Sequence, residues 1–328
     1  MNSVVAFVIA VLIYPGALVA VVAALVLSWA RGLARGAVAG EHATTPLATL
    51  SEWRGTLRDE AVAPGVHEIL LTAAAASAVL APLLALVLLP VPGNPLVAAI
   101  GLTGDLTAEA ALLLVVPAMR LVIGWAVPSS TTRGAADTSA RLLAGAVLPM
   151  ALAVTVIAYQ LDTLGLAGTP KTAPNAVGVA ARVLAALTFA VVLPVLARTV
   201  GRRTGATGAD DADTASAPAD ELAELAGRDL ASFQIAEALQ LAAAAAFFVA
   251  GFLLPIVPGL SKGAGYGVLW VAGVLLTAAG IGAWEGFAGK RGQASTETDR
   301  PPLTWWLGWQ LLLALVALVA SSWAVRGL

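Results

Sequence analysis

Eight runs of about twenty mostly apolar residues govern what this chain can fold into, because a helix of about that length crosses a hydrocarbon layer about 30 Å thick. They are Val4–Trp29, Ile69–Leu89, Leu106–Val127, Leu142–Leu161, Val177–Ala197, Ile235–Leu254, Tyr266–Trp284 and Trp305–Trp323. Lipid offers no partner to a backbone N–H or C=O, so such runs close their hydrogen bonds internally as helices. Of the 328 residues, 59% are hydrophobic and 12% charged, against about 25% charged in a soluble domain. The expectation is an all-α, polytopic protein with eight transmembrane helices, forming one membrane domain over residues 1–328. The first run is read as a retained span: no basic segment precedes it, and it exceeds the roughly 7–15 apolar residues of a signal peptide. Pro117, Pro149 and Pro194 fall inside spans. Membrane helices tolerate proline when neighbours bond the carbonyls it frees.

Lysine and arginine set the expected orientation. The loops after odd-numbered spans carry Arg31, Arg35, Arg54, Arg58, Arg133, Arg141, Arg198, Arg202, Arg203, Arg228, Lys290, Arg291 and Arg300, whereas Lys171, Lys262 and Arg326 lie on the other side. Thirteen against three places the odd loops in the cytoplasm and both termini outside. The cytoplasmic segments are then 30–68, 128–141, 198–234 and 285–304. The first is amphipathic, and 205–220 is small, acidic and of low complexity, the composition of a flexible segment. The acidic stretch from 219 to 234 reads as a helix running unbroken into the sixth span.

The composition excludes several chemistries. Without cysteine the chain has no disulfide, thiolate zinc site or cysteine-held iron–sulfur cluster. The histidines, His42 and His67, are too few and too far apart in sequence for a metal site or a Ser–His–acid arrangement. The net charge of −2 is uninformative, and nothing in the sequence suggests a nucleic-acid footprint. "GAGYGV" (263–268) lacks the strand–turn–helix setting of a dinucleotide loop, and "GTPKT" (168–172) is only superficially like a phosphate loop. Neither a catalytic residue nor a bound cofactor or metal is expected within this chain.

Four charges inside the spans carry more weight: Glu109, Arg120, Arg182 and Glu237. An ionised side chain at a membrane-helix centre costs about 2.5–3.5 kcal/mol on insertion scales, so such residues face the bundle interior or water and mark ion paths. Glu237 lies three residues into its span, within snorkelling reach of the surface. Glu109 and Arg182 lie near the outer ends of theirs, and two readings stay open, snorkelling or pairing with each other. Arg120 is too deep to snorkel. Arg120 and Glu237, opposite in sign and approaching from the same side, are expected in one polar network.

Five stretches in order resemble a known family. They are "YPGALVAVVAALVLSWARGLARG" (14–36), "TPLATLSEWRGTLRDEAVAP" (45–64), "GWAVPSSTTRGAADTSARLLAGAVLPMALAV" (124–154), "ELAELAGRDLASFQIAEALQL" (221–241) and "WEGFAGKRGQASTETDRPPLTWWLGWQLLLALVAL" (284–318). Together they are similar to the core membrane subunit shared by respiratory complex I and by energy-converting membrane-bound [NiFe] hydrogenases and formate hydrogenlyases. Glu224, Gly227, Phe233, Ala236 and Glu237 align with that family's acid-rich entry into the sixth helix. The family's Tyr-Glu pair in the fourth helix falls at Pro149 and Met150, and its first-loop quinone-tunnel element is replaced by "GAVAGEHATTP". These departures favour the hydrogenase-type branch.

The resemblance implies a non-catalytic coupling subunit in a prokaryotic cell membrane. Its cytoplasmic loops would dock a peripheral module made of a hydrogenase-like large subunit and a small iron–sulfur subunit, with Arg54, Arg58, Glu221, Glu224 and Arg228 as docking residues. Antiporter-like subunits would pack at its side. Nickel–iron and iron–sulfur centres would belong to the partners, and quinone could bind at the interface. The runner-up is the corresponding core membrane subunit of an NADH:quinone oxidoreductase, where it forms the quinone channel. A stand-alone transporter is the reading of another class.

Overall fold

The computed structural model describes residues 12–13, 16–40, 45–59, 65–92, 94, 104–166, 176–197, 221–253, 264–294 and 303–326. Among these residues the chain is all-helical. The helices are α1 (Ala17–Ala39), α2 (Pro46–Thr56), α3 (Glu68–Leu88), α4 (Leu106–Ala126), α5 (Ser130–Leu161), α6 (Ala176–Leu196), α7 (Gly227–Phe248), α8 (Ala264–Ala294) and α9 (Leu303–Arg326). All but α2 correspond to the eight expected spans. Seven are long and apolar enough to cross a membrane, while the described apolar part of α9, Trp309–Ala324, is shorter. The acidic segment 205–220, Lys171, Lys262, Arg198, Arg202, Arg203 and Arg300, and the start of the first run all lie outside the described residues.

Apolar length reads the bilayer rather than the helix, and the helices overrun the expected spans accordingly. The segment 128–141, expected as a loop, is instead the first third of α5, which begins at Ser130. The α1 helix continues past Trp29 to Ala39, so Arg31 and Arg35 sit in a helix and not in a loop. Likewise α8 runs to Ala294. Helix propagation adds one hydrogen bond per residue once a nucleus exists, and polar residues extend a turn at little cost. At 219–234 the opposite correction holds. No unbroken acidic helix enters the membrane there, because Glu221–Glu224 form turns and α7 begins only at Gly227. Gly227 has φ 64°, a conformation glycine adopts without steric cost, and it turns the preceding segment inward.

The α7 helix is the axis of the bundle. Of its most apolar window 89% is buried by other helices, against 22% for α1. Its run Ala242–Ala246 is at most 1% exposed, and small side chains let neighbouring backbones close in. Beyond it a π-helical turn, Val249–Leu253, places Phe252 against Phe189 of α6 with ring centroids 4.7 Å apart. Against α1, α8 presents Gly282 and Gly286, one turn apart. A Cβ at Gly282 would fall 2.8 Å from the Arg31 carbonyl carbon, and one at Gly286 2.8 Å from Val38 Cβ. The Arg31–Glu285 ion pair, with Nε to Oε2 at 2.9 Å, crosses the same seam. Beside these helices α2 starts on Pro46, with the Thr45 hydroxyl accepting from Ala48 N–H at 3.2 Å, and buries Thr49 and Trp53 on one face.

Pro117 has no N–H, so the Leu113 carbonyl one turn earlier in α4 loses its helical donor. Gln240 of α7 supplies the replacement, its Nε2 donating to Leu113 O at 2.5 Å. Gln240→Leu therefore destabilises the bundle by about 1–3 kcal/mol, the cost of a buried unsatisfied carbonyl. In a Pro117→Ala background, where residue 117 regains its N–H, the same change costs markedly less. Thermal unfolding of the four variants in detergent checks this. Equal losses in both backgrounds would show that Gln240 does not serve that carbonyl.

A buried arginine shared by two carboxylates

The stripe Glu109, Leu113, Val116 and Arg120 occupies one face of α4 at helical spacing, and all four side chains are buried. Arg120 is 5% exposed. Its Nη1 donates to Glu237 Oε1 at 2.6 Å and its Nη2 to Glu221 Oε2 at 2.7 Å. Glu237, 4% exposed, comes from the third turn of α7, and Glu221, 1% exposed, from the turn preceding that helix. The Ser139 hydroxyl of α5 donates to the other Glu221 oxygen. Gly124 makes the approach sterically feasible, since a Cβ there would fall 2.8 Å from Ala136 Cβ and 3.0 Å from Glu221 Cβ. Leu222 and Leu225 are buried beside it, so apolar anchors hold the Glu221 segment in place. On the rim Trp125 donates from Nε1 to Asp137 at 2.8 Å.

Arg120 and Glu237, expected in one network, thus meet directly, and Glu237 does not snorkel. Glu221, expected on the docking surface, is instead a buried ligand of Arg120, because the Gly227 turn folds its segment into the bundle. The remaining docking candidates stay nearer the surface: Arg54 and Arg58 are exposed, and Glu224 is half-buried. Arg228 is exposed as well. Glu109 and Arg182 do not pair. Arg182, 2% exposed on α6, donates to the Gln160 side-chain oxygen of α5, and Gln160 Nε2 donates to Gly178 O at 3.1 Å. Glu109 is fully buried, and among the described residues neither of its carboxyl oxygens has a hydrogen-bond partner. The backbone of Gly104 covers it: a Cβ there would fall 3.0 Å from Glu109 Cγ. That segment is held by Leu166 N–H on Gly104 O at 3.1 Å and Leu106 N–H on Leu164 O at 2.8 Å.

The cluster holds one guanidinium between two buried carboxylates. It borders a cavity of about 450 Å³. Apolar side chains of α4, α5 and α6, among them Val116, Leu142 and Val195, form its walls, while Arg120, Ser139 and Glu221 supply polar groups, and Trp284 and Glu285 of α8 line it as well. No group of three or more histidine, cysteine or acidic side chains suited to a metal ion occurs among the described residues. Ser139, Gln240 and Glu285 were not singled out from the sequence. Gln240 was findable, because a proline within a span calls for a polar donor on a neighbouring helix. Ser139 and Glu285 carry no comparable signal.

No protein-family model matches the chain, and no curated protein sequence does. Among solved structures the chain is similar to one in the membrane-bound sulfane sulfur reductase, an archaeal respiratory membrane complex. The match covers 96% of this chain and 99% of that one, with TM-score 0.69 and 18% identity. The fold is therefore one found in an archaeal respiratory membrane complex.

The triad fixes the order of mutational effects. Arg120→Met, which abandons two buried carboxylates, destabilises by on the order of 3–5 kcal/mol. Glu237→Gln or Glu221→Gln alone costs less, since Arg120 keeps one counter-charge. Adding both glutamines to Arg120→Met restores part of the loss, because no uncompensated charge then remains. Unfolding in detergent reads the series, and purely additive losses would contradict a shared guanidinium.

Proposed function

We propose that this chain is the non-catalytic membrane coupling subunit of a complex I-like, redox-driven ion pump of the energy-converting hydrogenase type. It docks a peripheral redox module and links that module's turnover to ion movement within the bilayer. The observation that carries the reading is the Arg120 triad: Glu221 stands on the segment leading in from residues 198–220, while Glu237 belongs to the axial helix. A displacement of that segment by a docked partner changes how many carboxylates Arg120 holds, and with it the affinity of the site for a proton. The positive-inside distribution of Lys and Arg supports a cytoplasmic location for the triad, the side on which such a module sits. The fold supports the same reading, since a chain of this architecture occurs in an archaeal respiratory complex. Antiporter-like subunits would complete the path at the side of the bundle.

Arg54, Arg58 and Glu224, carried on α2, the residues just after it and the turns before α7, are the proposed contacts for the module. Purification of the chain from its native membrane is expected to bring down an iron–sulfur subunit and a larger redox subunit. The triple change Arg54→Ala, Arg58→Ala and Glu224→Ala is expected to release them while the helical bundle stays folded. A chain that purifies alone, or a triple variant that stays assembled and coupled, would overturn the assignment.

A further inference from the structure

We infer that the cavity beside the triad is a lipid site, which takes one acyl chain of a phospholipid from the cytoplasmic leaflet. Its wall extends from Val116, at the middle of α4, to Leu196, the last residue of α6. From Val116 to the end of α4 is about 15 Å at 1.5 Å per residue, half of a hydrocarbon layer about 30 Å thick. The cavity therefore occupies the depth of a single leaflet's chains. Exposed tryptophans mark the headgroup level at that end, Trp29 of α1, Trp125 of α4 and Trp284 of α8, since indole rings gather at the membrane–water interface. Trp284 and Ala288, one turn apart on α8, are both wall residues and both exposed. The cavity thus opens beneath the headgroups, towards lipid.

The chemistry of the wall selects a hydrocarbon occupant. Its charged and hydroxyl side chains are already engaged within the protein: Arg120 with Glu221 and Glu237, Ser139 with Glu221, and Glu285 with Arg31. A ligand with a polar head would have to compete for these groups, whereas an alkyl chain asks nothing of them. The remaining surface is aliphatic, with Val116, Leu143, Val191 and Val195 facing the space. A volume of about 450 Å³ is about three times that of an engineered apolar cavity that stays dry and binds benzene. Left empty, it would forfeit the dispersion contacts of its lining. A chain seated there also closes the cavity side of the triad to water. The site exists whether or not the protein couples a redox module.

Native mass spectrometry tests it, on the full-length chain purified from its native membrane with whatever subunits accompany it. After a detergent wash that strips surface lipid, the wild type is expected to retain one phospholipid. Val191→Phe with Val195→Phe, one turn apart on α6, fills the space and is expected to lose that lipid. Leu187→Phe makes the same change on an exposed stretch of α6 and is expected to keep it. Once fully delipidated, the wild type and Leu187→Phe are expected to unfold at higher temperature when dioleoyl phosphatidylglycerol is added, while the filled variant gains nothing. Val195→Phe alone is read in the same way where the double variant does not accumulate. Loss of all lipid from the wild type, equal retention by the filled variant, or an isoprenoid compound in place of the phospholipid would overturn the site.

Discussion

The bundle depends on a charge that cannot be left alone. Arg120 lies in the second half of α4, with its side chain sealed among α5, α7 and the turn at Glu221. An isolated ion there would cost several kcal/mol even after relaxation. Two carboxylates offset that cost, and their sequence positions decide the rest. Glu237 ties α4 to the axial helix, whereas Glu221 ties it to the segment that leads into that helix from the expected cytoplasmic side. One guanidinium thereby joins an input segment to a fixed frame.

The frame is built from small residues where helices must approach and from compensations where they are interrupted. Consecutive alanines let α7 sit at the centre, Gly282 and Gly286 let α8 meet α1 backbone to backbone, and Gly124 admits Glu221. Pro117 opens the hydrogen-bond ladder of α4 where Gln240 can close it. The same proline stands on the wall of the cavity beside the triad, so the interruption and the polar pocket coincide.

The fold was largely legible because membrane thickness writes itself into apolar length, and the described parts of the long apolar runs are helical. What the apolar runs could not report was how far helices continue beyond the lipid, as α5 shows by starting at Ser130. Arg120 and Glu237 were legible as a pair because a deep charge demands a counter-charge from the same side. The burial of Glu221 was not legible, because the turns at Glu221–Glu224 and the positive φ at Gly227 are backbone features that hydropathy does not encode. Glu109 and Arg182 shared an end of the bundle and opposite signs, but helix rotation sends Arg182 to Gln160 and leaves Glu109 under Gly104. Charge and depth suggest partners, and rotation about the helix axis chooses among them.

If the triad converts motion at the cytoplasmic segments into charge movement in the bilayer, removing the charge of Glu221 should separate the two. The decisive measurement is the ratio of ions translocated to electrons transferred, in native membrane vesicles carrying Glu221→Gln. Electron transfer close to wild type with ion translocation abolished is the predicted result. A ratio unchanged from wild type would contradict the account.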